Sequence, residues 1–141
     1  MKIFLAEDNP ADVYLLREAL GADADSQIEL MVVQDGEEAL DFVNKRGKYA
    51  SVPNPDLIVL DLNLPKSDGT DVLKSIRESD EFHDIPVVIL TSSDSPRDRA
   101  AAEELGADGY ITKPSDLDAF LLLGDRLRAF VSCGPRRAAG A

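Results

Sequence analysis

Acidic residues, a hydroxyl and an amine stand at the ends of four apolar segments of this sequence. The first segment ends in the pair Glu7-Asp8, and the third ends in Asp61. Thr91 ends the fourth segment, and Lys113 follows the fifth. Carboxylate oxygens are the ligands that Mg²⁺ prefers, and an ammonium suits a phosphoryl oxygen. Taken singly, these residues could be a helix cap, a strand residue and a surface lysine, so their chemistry depends on the fold.

Five apolar segments alternate with helical patterns along the chain. Two of them, 3–6 and 57–60, are continuous apolar runs, which is typical of a parallel strand covered on both faces. The predicted strands are 2–6, 28–33, 57–60, 86–91 and 109–112, and the predicted helices are 11–21, 36–45, 68–79, 96–106 and 115–131.

This alternation predicts an α/β fold, a doubly wound five-stranded parallel sheet with five helices. In the flavodoxin-like strand order 2-1-3-4-5, ligands bind outside the carboxyl ends of the strands, and strands one and three flank the switch point. Asp8 and Asp61 would then face each other there. Two carboxylates about 4 Å apart repel by about 4 kcal/mol at an effective dielectric of roughly 20. A cation or a proton must therefore neutralise them, and Mg²⁺ is the cation that such a ligand set describes.

Helix boundaries are marked by residues that suit them. Asn9-Pro10 and Ser95-Pro96 each supply a cap followed by a first-turn proline. Gly21, Gly106 and Gly134 stand where C-terminal caps are expected.

Composition narrows the class of protein. The 141 residues carry a formal net charge of −12, which opposes direct binding to nucleic acid or to an anionic membrane. No targeting or membrane-spanning segment is recognisable, and the lone Cys133 fits a reduced, cytoplasmic setting. We expect one domain over residues 1–131 and a disordered C-terminal tail over 132–141.

Several segments together resemble the receiver domains of two-component response regulators. The resemblance covers about residues 2–131, and every signature position is filled. The segments that carry it are Leu5-Ala6-Glu7-Asp8-Asn9, Ile58-Val59-Leu60-Asp61-Leu62-Asn63-Leu64-Pro65-Lys66-Ser67-Asp68-Gly69, Val88-Ile89-Leu90-Thr91 and Gly106-Ala107-Asp108-Gly109-Tyr110-Ile111-Thr112-Lys113-Pro114.

The resemblance implies a magnesium-dependent phosphoacceptor site. Asp61 would accept the phosphoryl group from a phosphohistidine. Asp8 and Asp61 would ligate Mg²⁺ directly, with the backbone carbonyl of Asn63 as the third protein ligand, and Glu7 would act through a coordinated water. The protein would be a signalling protein and not an enzyme, apart from self-catalysed phosphoryl uptake and slow loss.

The resemblance also implies which residues complete the site and which respond to the phosphoryl group. Lys113 would pair with a phosphoryl oxygen, Thr91 would close over the phosphoryl group, and Tyr110 would turn inward as part of the switch. The bond between Lys113 and Pro114 is expected to be cis, as receivers usually hold it.

Within this family the sequence is similar to the single-domain, phytochrome-associated regulators. The features that indicate this are Asn9-Pro10-Ala11-Asp12, the long connection 45–55 and Thr91-Ser92-Ser93. The resemblance implies a sensor histidine kinase partner, of the bacteriophytochrome type. We expect no output domain after the fifth predicted helix.

Two segments could contact partners. The basic connection 45–55 is either a solvated loop or a docking loop. In the last predicted helix, Leu122 points away from the sheet, while Leu123 and Phe130 lie at the margin of the apolar face, so this surplus is either a homodimer face or scattered exposed leucine. The residues predicted to pack on the sheet are Leu117, Phe120, Leu121, Gly124, Leu127 and Val131.

Three other classes of protein fit this sequence less well. A phosphatase of the haloacid dehalogenase type would have an aspartate at position 63, where this chain has Asn63. A flavodoxin-like redox module would need a first loop that accepts phosphate, whereas this loop is acidic. A receiver-shaped adaptor that is never phosphorylated would have no need of an intact site.

Overall fold

The structure is a computed structural model and describes residues 1–21 and 28–132. Within these residues, the five predicted strands form one parallel sheet. The strand order is β2-β1-β3-β4-β5, which confirms the doubly wound, flavodoxin-like topology. The strands are β1 Lys2–Ala6, β2 Glu29–Val33, β3 Leu57–Leu60, β4 Val87–Thr91 and β5 Gly109–Thr112.

Helices cover both faces of this sheet. Phe42, Leu73 and Ile76 belong to the apolar cluster on one face, and Leu16, Phe120 and Leu127 to the cluster on the other. No helix among the described residues is long and apolar enough to cross a membrane. The helices are α1 Pro10–Leu20, α2 Gly36–Val43, α3 Gly69–Glu78, α4 Pro96–Glu104, α5 Leu117–Leu121 and α6 Leu123–Ser132, with a 3₁₀ turn at Gly47–Tyr49.

The central strands β3 and β4 are buried along their whole length. The continuous apolar runs 3–6 and 57–60 are both buried, in β1 and β3, which confirms their interpretation as strands covered on both faces. Burial on both sides holds the strand ends rigidly, and the functional residues follow those ends.

The predicted helix caps are present. The Asn9 side chain accepts a hydrogen bond from the Ala11 N–H at 2.9 Å, and the Ser95 side chain accepts from Asp98 at 3.4 Å. Gly21 ends α1 with a φ of 69°, in the left-handed region that glycine adopts without strain. Gly134 and residues 133–141 of the predicted tail lie outside the described residues.

The last predicted helix is interrupted at Leu122, and this changes which leucines are buried. Leu117 is 55% exposed and Leu121 is 36% exposed, so their predicted packing on the sheet is wrong. Leu123, predicted at the margin, is buried in the core. The break between α5 and α6 shifts the phase of the helical wheel, which assumed one continuous helix. Leu122 points to solvent as predicted, with 66% of its surface exposed.

The basic connection 45–55 contacts its own chain. Tyr49 is buried, packs edge-on against Phe42 and donates a hydrogen bond to the Glu38 carboxylate at 2.6 Å. The Lys45 ammonium donates to the Val52 carbonyl at 2.7 Å. These contacts anchor the segment to α2, so its ammonium groups are partnered within the domain.

Arg77 ties α3 to the segments that lead into β4 and β5. Its guanidinium donates to the carbonyls of Ile85 and Gly106 and to Asp108 Oδ2 at 2.8 Å. Asp108 Oδ2 also accepts from the Val87 N–H at 2.9 Å. Because both charged side chains are largely buried, the pair holds the starts of both strands in register.

We expect Arg77→Met to lower the free energy of unfolding by about 3 kcal/mol or more, because the buried Asp108 carboxylate would lose its cation. Urea unfolding followed by circular dichroism measures this change. Arg97→Met, at an exposed position on α4, is the matched control and should have little effect. Equal midpoints for the two variants would contradict the assigned role of Arg77.

Candidate functional site

The predicted functional residues meet at the carboxyl edge of the sheet. The register of β1 and β3 pairs Ala6 with Leu60, so the acidic residues that follow these strands are neighbours. The Asp61 N–H donates to the Ala6 carbonyl at 3.1 Å. On the other side, the Lys113 N–H donates to the Thr91 carbonyl at 2.7 Å, which brings the ends of β4 and β5 together.

Glu7, Asp8 and Asp61 form an acidic cluster that could hold a divalent metal ion. One carboxylate oxygen of each lies within 4.8 Å of the others. Glu7 and Asp61 are buried, with 1% and 5% of their surfaces exposed, whereas Asp8 is exposed to solvent. Oxygen ligands with one open side suit a hard cation that keeps several of its waters. The donor set therefore fits the metal site predicted from the sequence.

The ammonium of Lys113 is the cation that the structure places beside this cluster. Its Nζ lies 2.6 Å from Glu7 Oε1, 2.8 Å from Asp12 Oδ2 and 3.0 Å from Asp61 Oδ2. An ammonium has three donors, and among the described residues three carboxylates take them. Lys113 therefore lies in the site, as predicted, and is not an exposed surface lysine.

The pKa values of Lys113 and Glu7 reflect this crowding. Burial by itself would lower the pKa of Lys113, but its hydrogen bonds to Asp12, Glu7 and Asp61 outweigh burial and raise that pKa above its usual value. Burial raises the pKa of Glu7 to about 7, because desolvation of the carboxylate outweighs the hydrogen bonds from Lys113 and the Asn9 N–H. Burial thus opposes the charged form of Glu7, and the ammonium of Lys113 offsets only part of that cost.

Asp12 is a member of the site that the sequence reasoning missed. In the sequence it stands in the segment Asn9-Pro10-Ala11-Asp12, to which the resemblance gives no role in the chemistry. Its position in the first turn of α1, four residues after Asp8, was the available signal. The contact itself joins residues 101 positions apart and depends on the pairing of the strands.

Thr91 and Tyr110 lie where a switch could operate. Thr91 is fully buried, and its hydroxyl oxygen accepts from Asn63 Nδ2 at 3.3 Å and from the Ser93 N–H at 3.4 Å. Tyr110 already occupies an inward position, where its hydroxyl donates to the Ser93 carbonyl at 3.0 Å. The loop after β4 is thus connected to the site on one side and to β5 on the other.

The backbone around Asp61 is fixed by Asn63 and Gly69. The Asn63 N–H donates to Asp61 Oδ1 at 3.0 Å, which orients the carboxylate. Gly69 begins α3 directly against Asp61, and a Cβ at this position would collide with the Asp61 carbonyl oxygen. The glycine is therefore required for the close approach of α3 to the site.

The predicted cis bond between Lys113 and Pro114 is wrong, since no peptide bond among the described residues is cis. The trans bond is favoured intrinsically by about 0.5–1 kcal/mol before proline. The long side chain of Lys113 reaches Asp61 from this trans backbone, so the contact does not require the cis form.

Comparison with known proteins identifies the class of protein that this fold and site define. Residues 3–123 match the family model of the response regulator receiver domain. The chain therefore belongs to the receiver domain family of two-component signalling.

Among its relatives are regulators associated with phytochromes. The chain is 38% identical over 128 residues to the response regulator Rcp1 of Synechocystis sp., covering 91% of this chain and 86% of Rcp1. It superposes on the phosphorylated cyanobacterial phytochrome response regulator RcpA with a TM-score of 0.86, at 40% identity over 93% of each chain. The Mn²⁺-bound form of Rcp1 gives a TM-score of 0.83 at 38% identity over 92% of each chain.

Longer relatives carry more than this domain. The chain is 36% identical over 118 residues to the transcriptional regulatory protein TrcR of Mycobacterium tuberculosis, covering 84% of this chain. It spans 41% of the length of TrcR.

Proposed function

We propose that Asp61 accepts a phosphoryl group from a sensor histidine kinase and that the protein relays this signal by binding other proteins. One observation carries the proposal: the buried Asp61 carboxylate is oriented by the Asn63 N–H and lies 3.0 Å from the Lys113 ammonium. A rigid carboxylate beside a cation can act as a nucleophile toward a phosphoryl group.

The transfer makes one bond and breaks one. A carboxylate oxygen of Asp61 attacks the phosphorus of a phosphohistidine, and the phosphorus–nitrogen bond breaks as the imidazole keeps the electron pair. The product is an acyl phosphate on Asp61. In phosphoryl transfer the protein mainly positions groups and balances charge. Lys113 already lies at Asp61 and would donate to a phosphoryl oxygen.

We assign Mg²⁺ as the cofactor, held by Asp8 and Asp61 with the backbone carbonyl of Asn63, and with Glu7 acting through a water. The close approach of the three carboxylates supports this assignment. When bound, Mg²⁺ neutralises the carboxylates and the phosphoryl oxygens. The relative Rcp1 has been solved in a Mn²⁺-bound form, and RcpA in a phosphorylated form.

Thr91 and Tyr110 are the proposed switch. The Thr91 hydroxyl, which now accepts from Asn63, would turn to the phosphoryl group and close over it. Since Ser93 contacts both Thr91 and Tyr110, movement of Thr91 would be felt at β5. The signal would then pass to the surface beside α4.

We infer the partners from the relatives of the chain and from its net charge. We propose a sensor histidine kinase of the bacteriophytochrome type as the partner, and the likeness to the cyanobacterial phytochrome response regulator RcpA supports a kinase of the phytochrome class. With a net charge of −12 the chain is expected to bind proteins rather than nucleic acid or membranes. We place it in the cytoplasm and describe it as a signalling protein whose own catalysis is limited to phosphoryl uptake and slow loss.

We further propose a homodimer formed through the last helical segment. Two of the residues expected at this face do not belong to it, because Leu123 is buried and Phe130 packs against the core. Leu117, Leu121 and Leu122 stay exposed and are close in sequence. An apolar surface of this kind is typical of a contact between protein chains.

Mg²⁺ should stabilise the fold by binding the folded state, by about 2.7 kcal/mol at a concentration one hundred times its Kd. Thermal melting with and without millimolar Mg²⁺ measures the effect. Asp8→Asn should abolish most of it, because the variant loses a metal ligand. Asp68→Asn, an exposed residue at the start of α3, is the matched control and should keep the full effect. An equal gain in Asp8→Asn and wild type would refute the site.

Asp61→Asn should remove phosphorylation while the fold survives, since the amide keeps the shape of the side chain but lacks the nucleophilic oxygen. Intact mass after treatment with acetyl phosphate and Mg²⁺ gives the result. Wild type and Asp68→Asn should each gain one phosphate, and Asp61→Asn should gain none. The proposed function fails if Asp61→Asn gains the same phosphate mass as wild type.

Light scattering over a range of concentrations tests the dimer. Wild type is expected to associate, and to associate more strongly with a phosphate mimic. Leu122→Gln should weaken association, because it replaces an exposed apolar side chain by a polar one. Because identical chains of charge −12 repel, added salt should favour the dimer. A strict monomer with and without the mimic would rule the dimer out.

A further inference from the structure

Asp12 is bound to the same ammonium as the phosphoacceptor but approaches it from a different element. Asp12 Oδ2 lies 2.8 Å from Lys113 Nζ, and its side chain is 18% exposed. Its helix is fixed at this end by Pro10 and by the hydrogen bond from Ala11 to the Asn9 side chain. Asp12 is therefore held in place by α1, independently of β1 and β3.

Asp12 differs from the other two partners of Lys113 in what can balance its charge. Glu7 and Asp61 belong to the three-carboxylate cluster, so a cation held there would neutralise them. Asp12 is not part of that cluster, and within residues 1–21 and 28–132 its ion pair is with Lys113. A donor of Lys113 that is used by Asp12 cannot at the same time serve a phosphoryl oxygen.

We propose that Asp12 is a positioning residue that occupies one hydrogen-bond donor of the Lys113 ammonium. It thereby limits how readily Asp61 takes up a phosphoryl group and how long Asp61 keeps that group. The inference rests on the proposed phosphoacceptor function of Asp61. Asp12 acts through Lys113 and adds one negative charge at the side from which a phosphoryl anion is stabilised.

The test is phosphorylation by acetyl phosphate in the presence of Mg²⁺, followed by intact mass. In Asp12→Asn the half-saturating concentration of acetyl phosphate should fall by roughly threefold to tenfold, because Lys113 gains a free donor and the site loses a negative charge. The final extent of one phosphate per chain should not change. After the donor is removed, the phosphate should be lost more slowly than from wild type.

Two variants separate the contact from a general effect of charge. Asp12→Glu keeps a carboxylate in reach of Lys113 and should behave like wild type. Glu18→Gln removes one charge from an exposed position of the same helix and should also behave like wild type. The inference is overturned if Asp12→Asn equals wild type or needs more donor, or if either control variant shifts as far as Asp12→Asn.

A second readout needs no phosphate donor. In wild type the ammonium protons of Lys113 are held by three carboxylates on a side chain that is 11% exposed, so nuclear magnetic resonance should show slow exchange with water. Asp12→Asn should speed this exchange severalfold, and unchanged exchange would overturn the assigned contact.

If wild type gains no phosphate at all, the proposed function fails and the inference fails with it. If wild type is phosphorylated and Asp12→Asn does not differ from it, the inference alone fails.

Discussion

Excess negative charge at one edge of the sheet is the constraint on which the structure depends. Among the described residues, Glu7, Asp12 and Asp61 share the ammonium of Lys113, and Asp8 adds a further carboxylate beside Glu7 and Asp61. Charges with little exposure are only weakly screened by water. The pKa of Glu7 is raised to about 7, mainly because burial disfavours its charged form and in smaller part because Asp61 repels it. An arrangement of this kind favours the uptake of further positive charge, as a hard cation would supply.

The frame around the site must resist this repulsion. Two fully buried strands, β3 and β4, run into it, and apolar clusters pack on both faces of the sheet. Gly69 lets α3 begin directly against the Asp61 backbone, and Arg77 fixes the segments that enter β4 and β5. Rigid packing of this sort prevents the carboxylates from moving apart.

The site is physically connected to the surface through the loop after β4. Ser93 contacts Thr91 through its N–H and Tyr110 through its carbonyl, and its hydroxyl donates to Asp98 Oδ2 at 2.5 Å. Asp98 lies in the first turn of α4, where Arg99 places its guanidinium 5.3 Å from the Tyr110 ring. A change at Thr91 therefore has a continuous set of contacts along which it can reach α4.

Sequence alone determined the strands, the topology and most of the site, because these follow from local and repeating signals. Continuous apolar runs marked the buried strands, and parallel topology requires the residues after each strand to share one edge. The same constraint predicts that the functional side chains share this edge, and these are Glu7, Asp8, Asp61, Thr91 and Lys113.

Only the tertiary structure decided how the ammonium is shared, where the last helix breaks and which peptide isomer precedes Pro114. The contact between Asp12 and Lys113 spans 101 positions, and no local pattern encodes it. Because of the break at Leu122, the core contains Leu123 and not Leu121, which an uninterrupted helix would place there. Packing against α1 and the sheet overrides the ideal helical period. The trans bond suffices because the reach of Lys113 depends on the separation of β5 from β3, a distance set by the assembled sheet. Periodicity and residue type act over a few residues, whereas these features depend on the balance of many distant contacts.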